Sequence, residues 1–155
     1  MPSDSPTMPV RVVRVITRLN IGGPSIQATR LTSVLDRRGF STTLVHGRLG
    51  RGEGDMSYLI DPASRAVHLE TLCRPLSPID DARTLLRLYS ELRRARPQIV
   101  HTHMAKAGLL GRLAALLYNL TRGSAPRARV IHTYHGHVLE GYFTPIVARL
   151  FVALE

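Results

Sequence analysis

The stretch "VITRLNIGGPSIQATRL" spans residues 15–31. It opens as an apolar, β-branched run, enters two glycines and a proline, and leaves with helix-like spacing. A strand–glycine turn–helix unit of this kind brings backbone N–H groups close to whatever lies beyond the sheet. Glycine permits positive φ and close backbone approach, and a helix N-terminus presents unpaired N–H groups and the positive end of its dipole. A phosphate or a sugar oxygen suits that position; an ordinary strand–helix connection is the other reading. The spacing is not G-x-G-x-x-G and no G-K-[ST] follows, so neither the dinucleotide fingerprint nor a nucleotide-hydrolysing P-loop is present.

Outward from this unit, strand and helix patterns alternate. "VRVVRVITRL" (10–19) reads as a first strand. Residues 24–38 read as a helix with Ile26, Leu31, Val34 and Leu35 near helical spacing, Pro24 in its first turn and Gly39 as its C-terminal cap. "STTLVHG" (41–47) is a second strand, "RLGRGEGD" (48–55) a glycine-rich charged loop and "AVHLE" (66–70) a third strand. "SPIDDARTLLRLYSELRRARP" (77–97) is an amphipathic helix, with Asp80 or Asp81 able to cap its start and Pro97 ending it. "QIVHTH" (98–103) is a fourth strand, "AKAGLLGRLAALLYNL" (105–120) a largely apolar helix, "ARVIHTYH" (128–135) a fifth strand and "TPIVARLFVALE" (144–155) the beginning of another helix. Residues 1–8 read as a disordered leader and 9–155 as one domain.

This alternation predicts an α/β fold, a parallel sheet with helices on both faces. Strands buried on both faces account for the near-continuous apolar runs. In such sheets ligands sit beyond the C-terminal strand ends. The unusual stretches fall there: "NIGGPS" after the first strand, "THMAKAG" after the fourth and "HGHVLEGY" after the fifth. The helix at "FVALE" meets no glycine, proline or polar tail, which reads as the first half of a longer enzyme.

The chain has 155 residues, enough for one domain with a genuine core, and no apolar run of bilayer-spanning length. "MPSDSPTMPV" lacks the basic start and apolar segment of a secretory signal, giving the expectation of a cytoplasmic chain. Cys73 is the sole cysteine, which excludes an internal disulfide and a multi-cysteine zinc site. The net charge is +10, and Lys106 is the one lysine among 21 basic residues. Such charge fits an anionic partner, whether nucleic acid, phosphorylated substrate or acidic membrane surface; arginines scattered over solvated faces are the other reading.

Besides the Gly-Gly turn, two motifs carry chemistry. "HTHMAKAGLLGR" places His101 and His103 on one side of a strand end and Lys106 near a helix start, within reach of a phosphate or hydroxyl-rich ligand. His-x-His can ligate a metal, but the spacing offers no third ligand, and a satisfied core imidazole is the alternative for His101. Gly108 and Gly111 fit close helix–sheet packing. "HTYHGHVLEGY" gathers His132, His135 and His137 around Gly136; imidazoles there can donate to sugar hydroxyls or move protons. Strand alternation turns His135 away from His132, and Glu140 can orient a histidine, bind an acceptor hydroxyl or cap a helix.

In this order, "LNIGGPSIQ", "HTHMAKAGLLGRLAA" and "HTYHGH" resemble the N-terminal half of family 4 glycosyltransferases with the GT-B fold. The resemblance covers nearly all of residues 10–155. It implies a retaining transferase moving a sugar from a nucleotide-sugar donor to a glycan or lipid-linked acceptor, built from two Rossmann-like domains of which this one mainly binds acceptor. It places the Gly22–Gly23 loop near the donor diphosphate, His135 as the active-site histidine near the transferred sugar, and Lys106 toward the acceptor, with His103, His137 and Glu140 as further substrate contacts. It implies no cofactor and no essential metal. The family commonly has a small residue after Gly-Gly, where this chain has Pro24. The second domain, carrying the diphosphate-binding basic residues and paired glutamates, is not in these 155 residues, so the piece is expected to be inactive alone. A peripheral contact at the inner face of the cell membrane also follows, with the basic surface and the apolar helices near 105–120 and 144–155 meeting an anionic leaflet; packing of those helices on the sheet is the plainer reading. A sugar-nucleotide epimerase has related architecture but fits "KAG…GR" less well. The alternative from another class is a non-catalytic basic α/β module binding nucleic acid, which lacks an aromatic-interleaved basic strand or a reader motif, so no nucleic-acid partner is expected.

Overall fold

The computed structural model describes residues 8–135. The expected leader over 1–7, the loop after His135 with His137 and Glu140, and the helix expected over 144–155 lie outside the described residues. The elements run β1 (Arg11–Ile16), α1 (Gly23–Arg37), β2 (Ser41–Gly47), a single 3₁₀ turn (Ser57–Leu59), β3 (Arg65–Leu69), α2 (Pro78–Ala95), β4 (Ile99–His103), α3 (Ala105–Thr121) and β5 (Arg129–Thr133). The five strands form one parallel sheet in the order β3-β2-β1-β4-β5. This is the expected α/β arrangement with helices on both faces. The order reverses between β1 and β4, where chain connections leave in opposite directions and a crevice opens at the C-terminal strand ends.

Alternation along the strands assigns the two faces. Val13, Val15, Val45, Leu69 and Val100 pack with Leu88 and Leu92 of α2 and with Ala107, Leu110, Ala114, Ala115 and Tyr118 of α3. The small residues of α3 let it lie close on the sheet. A Cβ on Gly111 would stand 2.5 Å from Thr102 Cγ2, and one on Gly108 would stand 2.6 Å from His132 Cε1. Both contacts are too short for any side chain, so the packing role expected of these two glycines holds. Leu116 and Leu120 of the same helix are exposed.

The opposite face is packed differently. Its apolar cluster is small: Ile16, Leu19, Ala28 and Leu44. The helix over it, α1, buries Ser25, Ala28, Thr29, Thr32 and Ser33, while Ile26 is 41% exposed. The aliphatic face expected from Ile26, Leu31, Val34 and Leu35 is therefore not the buried one. The cause lies in β1, where Arg14 is fully buried under α1 and takes hydrogen-bond acceptors from it. A second local expectation also changes. Ser77, not Asp80 or Asp81, is the N-cap of α2. Its N–H donates to Asp81 Oδ2 at 3.2 Å and its hydroxyl to Asp80 Oδ2 at 3.1 Å, so the two acids support the cap from inside the first turn.

Gly47 ends β2 where the 69–72 turn crosses it, and Arg48 N–H bonds to Leu72 O at 2.9 Å. A Cβ at Gly47 would run into Leu72 O and stand 2.5 Å from Thr17 O, both backbone atoms. Gly47→Ala should therefore destabilise the fold by about 3 kcal/mol or more, far beyond Gly23→Ala, whose Cβ meets nothing within 4 Å. Chemical denaturation of the two variants checks this ranking, and equal midpoints would contradict it.

Candidate functional site

The Gly-Gly turn is built from three pieces of chain. Gly22 has φ 153°, a conformation that side chains rarely adopt, and is the N-cap of α1. Pro24 stands in the first helical turn, where its missing N–H costs nothing. The Gly22 N–H points to Met56 Sδ at 3.3 Å, and Ser25 Oγ donates to Asn20 O at 2.5 Å. The glycine-rich loop 48–55 folds back against this turn: Asn20 and Asp55 form an antiparallel bridge, flanked by Ile21 N–H to Gly54 O (3.2 Å) and Met56 N–H to Leu19 O (2.9 Å). Arg18 Nε donates to both carboxylate oxygens of Glu53 at 2.8 Å. Loop 48–55 is thus a brace for the turn, a role its composition did not reveal.

Beside the turn, at the β1/β4 crevice, lies a cleft of about 470 Å³. Pro24, Thr17 and Arg18 line it from the first connection, Met104, Ala105 and Lys106 from the β4–α3 connection, and His135 from the end of β5. Pro75, Leu76 and Asp81 close it from the α2 side. Three loops remote in sequence therefore share one cavity, as their positions at the strand ends require. Gly22 and Gly23 stand behind Pro24 rather than in the wall.

Lys106 reaches the cleft but is held. It is 8% exposed, its Nζ pairs with Asp81 Oδ1 at 2.5 Å, and it also donates to Pro75 O. The ion pair ties α3 to α2 at the cleft mouth. Met104, the N-cap of α3, has φ 64° and ψ 161°. That region is close to glycine-only, so this backbone stores strain at the cleft wall. With no cap from Met104's side chain, Thr17 Oγ1 accepts the Ala107 N–H at 3.2 Å from a different connection.

The histidines form a line on the α1 face. His101 and His103 lie on one side of β4 with rings 4.2 Å apart, and His103 continues to His135 at 5.2 Å. His101 Nε2 bonds to Thr133 Oγ1 at 2.8 Å, satisfying it within the sheet. His103 is fully buried: its Nε2 lies 3.0 Å from Arg14 Nη2, and its Nδ1 lies 2.9 Å from His135 Nε2. His103 thus touches the cleft only through His135. His132 points to the other face, with Nδ1 2.8 Å from Thr102 Oγ1, as alternation predicted. Burial pushes His101 down to about 4 and His103 down to about 2, with neighbouring imidazoles and Arg14 adding to both. Burial, then Arg14, lowers His135 as well. The cluster is neutral near pH 7. Among the described residues no group of three metal-binding side chains converges, and no helix is long and apolar enough to cross a membrane.

Of the predicted site residues, His135 and Lys106 share the cleft, His103 supports His135, and Gly22 and Gly23 shape the adjoining turn. Arg14, Glu53 and Met104 were not singled out from sequence, and Asp81 was read only as a helix cap. An arginine inside a strand buried on both faces was the one available signal.

The sequence description "Glycosyltransferase Family 4" matches residues 21–154. The chain belongs to Glycosyltransferase Family 4. A relative from Escherichia coli, "UDP-Gal:alpha-D-GlcNAc-diphosphoundecaprenol alpha-1,3-galactosyltransferase", is 39% identical over 87 residues. That match spans 56% of this chain and 21% of the relative. Among solved structures, sucrose-phosphate synthase from Thermosynechococcus elongatus superposes with a TM-score of 0.63 at 14% identity, over 93% of this chain and 39% of that one. UDP-GlcNAc 2-epimerase from Methanocaldococcus jannaschii superposes with a TM-score of 0.55 at 12% identity, over 91% and 36%. At these identities the likeness is one of fold: the Rossmann-like first half of a GT-B architecture. The family 4 chain thus spans well under half the length of each of these proteins.

The neutral histidines make a pH prediction. An unfolded histidine titrates near 6.5, whereas the fold holds His101 to about 4 and His103 to about 2. Below pH 6.5 the unfolded chain takes up protons that the folded chain refuses. The stability tied to these two groups is therefore complete above pH 6.5 and is lost as pH falls, by about 1.4 kcal/mol per pH unit for each histidine. Urea midpoints measured between pH 7 and pH 5 should fall accordingly, and His101→Gln should flatten the slope. A wild-type midpoint that does not move over this range would contradict the assignment.

Proposed function

We propose that the protein is a retaining glycosyltransferase that moves a hexose from a nucleotide-sugar donor to a glycan or lipid-linked acceptor, with this chain forming the acceptor-side half. The observation that carries the reading is the cleft at the β1/β4 crevice, where His135, the Gly-Gly connection and the Lys106–Asp81 pair meet in a chain of this family. His135 stands at the rim as the family's active-site histidine, close to the transferred sugar. The relative's acceptor, a diphosphoundecaprenol-linked sugar, supports a lipid-linked acceptor here, and Leu76, Leu109, Leu110 and Met104 give the cleft apolar walls beside its polar groups. A nucleotide-sugar donor needs a second α/β domain opposite this face, and this piece alone is read as inactive. The reading includes no metal or cofactor, a cytoplasmic setting, and contact with an anionic leaflet through the basic surface.

The test is transfer by the full-length enzyme from UDP-hexoses to a polyprenyl-diphosphate-linked saccharide, with the product's anomeric configuration read by NMR. Retention is expected, and His135→Ala should lower kcat roughly 100-fold with the fold intact by circular dichroism. Inversion of configuration would overturn the retaining mechanism, and full activity of His135→Ala would overturn the role of that residue.

A further inference from the structure

Among the described residues, one guanidinium is buried without a counter-ion. Arg14 is 0% exposed, and no carboxylate pairs with it among the described residues. Its acceptors are Ala28 O at 2.5 Å, Thr32 Oγ1 at 3.0 Å and His103 Nε2 at 3.0 Å, while its Nε has no hydrogen-bond partner. Replacing a buried charge by an apolar side chain of similar volume is often neutral or stabilising. Packing alone therefore gives no reason to keep arginine here. The contact that leads somewhere is the third, because it lies one imidazole away from the cleft.

Arginine has only donors. A ring nitrogen facing it must offer a lone pair, so His103 Nε2 carries no proton. A neutral imidazole then holds its proton on the other nitrogen, and His103 Nδ1–H faces His135 Nε2 at 2.9 Å. That contact forces a lone pair on His135 Nε2 and leaves the His135 proton on Nδ1. We propose that Arg14 is a positioning residue that, through His103, fixes His135 as the Nδ1–H tautomer and so turns it into a hydrogen-bond donor toward the cleft. Burial lowers all three groups, and Arg14 stays charged with its value near 10. With Nε2 engaged, His135 has no free lone pair and cannot serve as a general base. Its remaining polar atom suits a sugar hydroxyl or an anionic oxygen as acceptor. The link to transfer rests on the glycosyltransferase reading; the tautomer assignment does not.

The experiment is long-range ¹H–¹⁵N NMR on the full-length protein with ¹⁵N-labelled histidine, at neutral pH and without substrate. Expected for both His103 and His135 are a protonated, pyrrole-like Nδ1 and an unprotonated, pyridine-like Nε2. Arg14→Met should move both rings to averaged shifts of mixed tautomers, and Arg14→Lys, which again offers only donors, should restore them. Finding His103 protonated on Nε2, or finding both rings unchanged in Arg14→Met, overturns the proposal. Should Arg14→Met not fold, the wild-type spectrum and Arg14→Lys decide. In the transferase assay Arg14→Met should lower kcat about ten-fold, the scale of one hydrogen bond to a charged group. The predicted tautomers in a protein without transferase activity would sink the functional reading and leave the relay standing; transfer with the opposite tautomers would do the reverse.

Discussion

The burial of Arg14 organises one whole side of this domain. A guanidinium in the sheet face needs acceptors, and α1 supplies them from a backbone carbonyl and a threonine. That demand explains why α1 presents serine, threonine and alanine to the sheet while Ile26 faces solvent. The other face carries no charge of this kind and packs as an ordinary aliphatic core with small helix residues. The two faces have divided the work: α2 and α3 supply most of the apolar burial, and the α1 side keeps a polar chain from core to cleft.

The cleft's position follows from topology, its shape from bracing. Reversal of strand order between β1 and β4 opens the crevice, and parallel pairing sets His103 beside Ile16 and opposite Thr133. Loops at such an edge would be loose if left alone. Here the Gly-Gly turn is pinned by the 48–56 segment through a β-bridge and the Arg18–Glu53 fork, and the start of α3 is capped by Thr17. The strained backbone of Met104 is held between these fixtures. A residue in that conformation persists only where its surroundings over-determine it.

Much of this was legible in the sequence because it depends on local period. Alternating strand and helix patterns located the described elements within a few residues, and Gly108, Gly111 and the opposed orientations of His132 and His135 followed from spacing. What escaped depends on partners far along the chain. Arg14 and His103 are 89 residues apart, and Lys106 meets Asp81 across two helices. Periodicity shows which face a side chain takes but not what waits there. The misread face of α1 is the clearest instance: a hydrophobic count favoured Ile26, and one buried cation from another element reversed the choice.

The same pairings bear on what the cleft can recognise. The chain carries a net charge of +10, yet two of the three cations lining the cleft are ion-paired within the fold, Arg18 with Glu53 and Lys106 with Asp81, while Arg74 lines it beside them. An ion pair held by the fold attracts a free phosphate less than a bare ammonium does, since the partner carboxylate opposes the field. It still presents donors and acceptors side by side at fixed positions, which matches the mixed hydrogen-bonding edge of a sugar. Neutral His135 adds to that character rather than to the charge. Recognition by such a surface rests on geometry more than on attraction, so a rigid, cross-braced wall serves it better than a mobile one. Such a wall suits a ligand that offers donors and acceptors at fixed positions better than a bare anion.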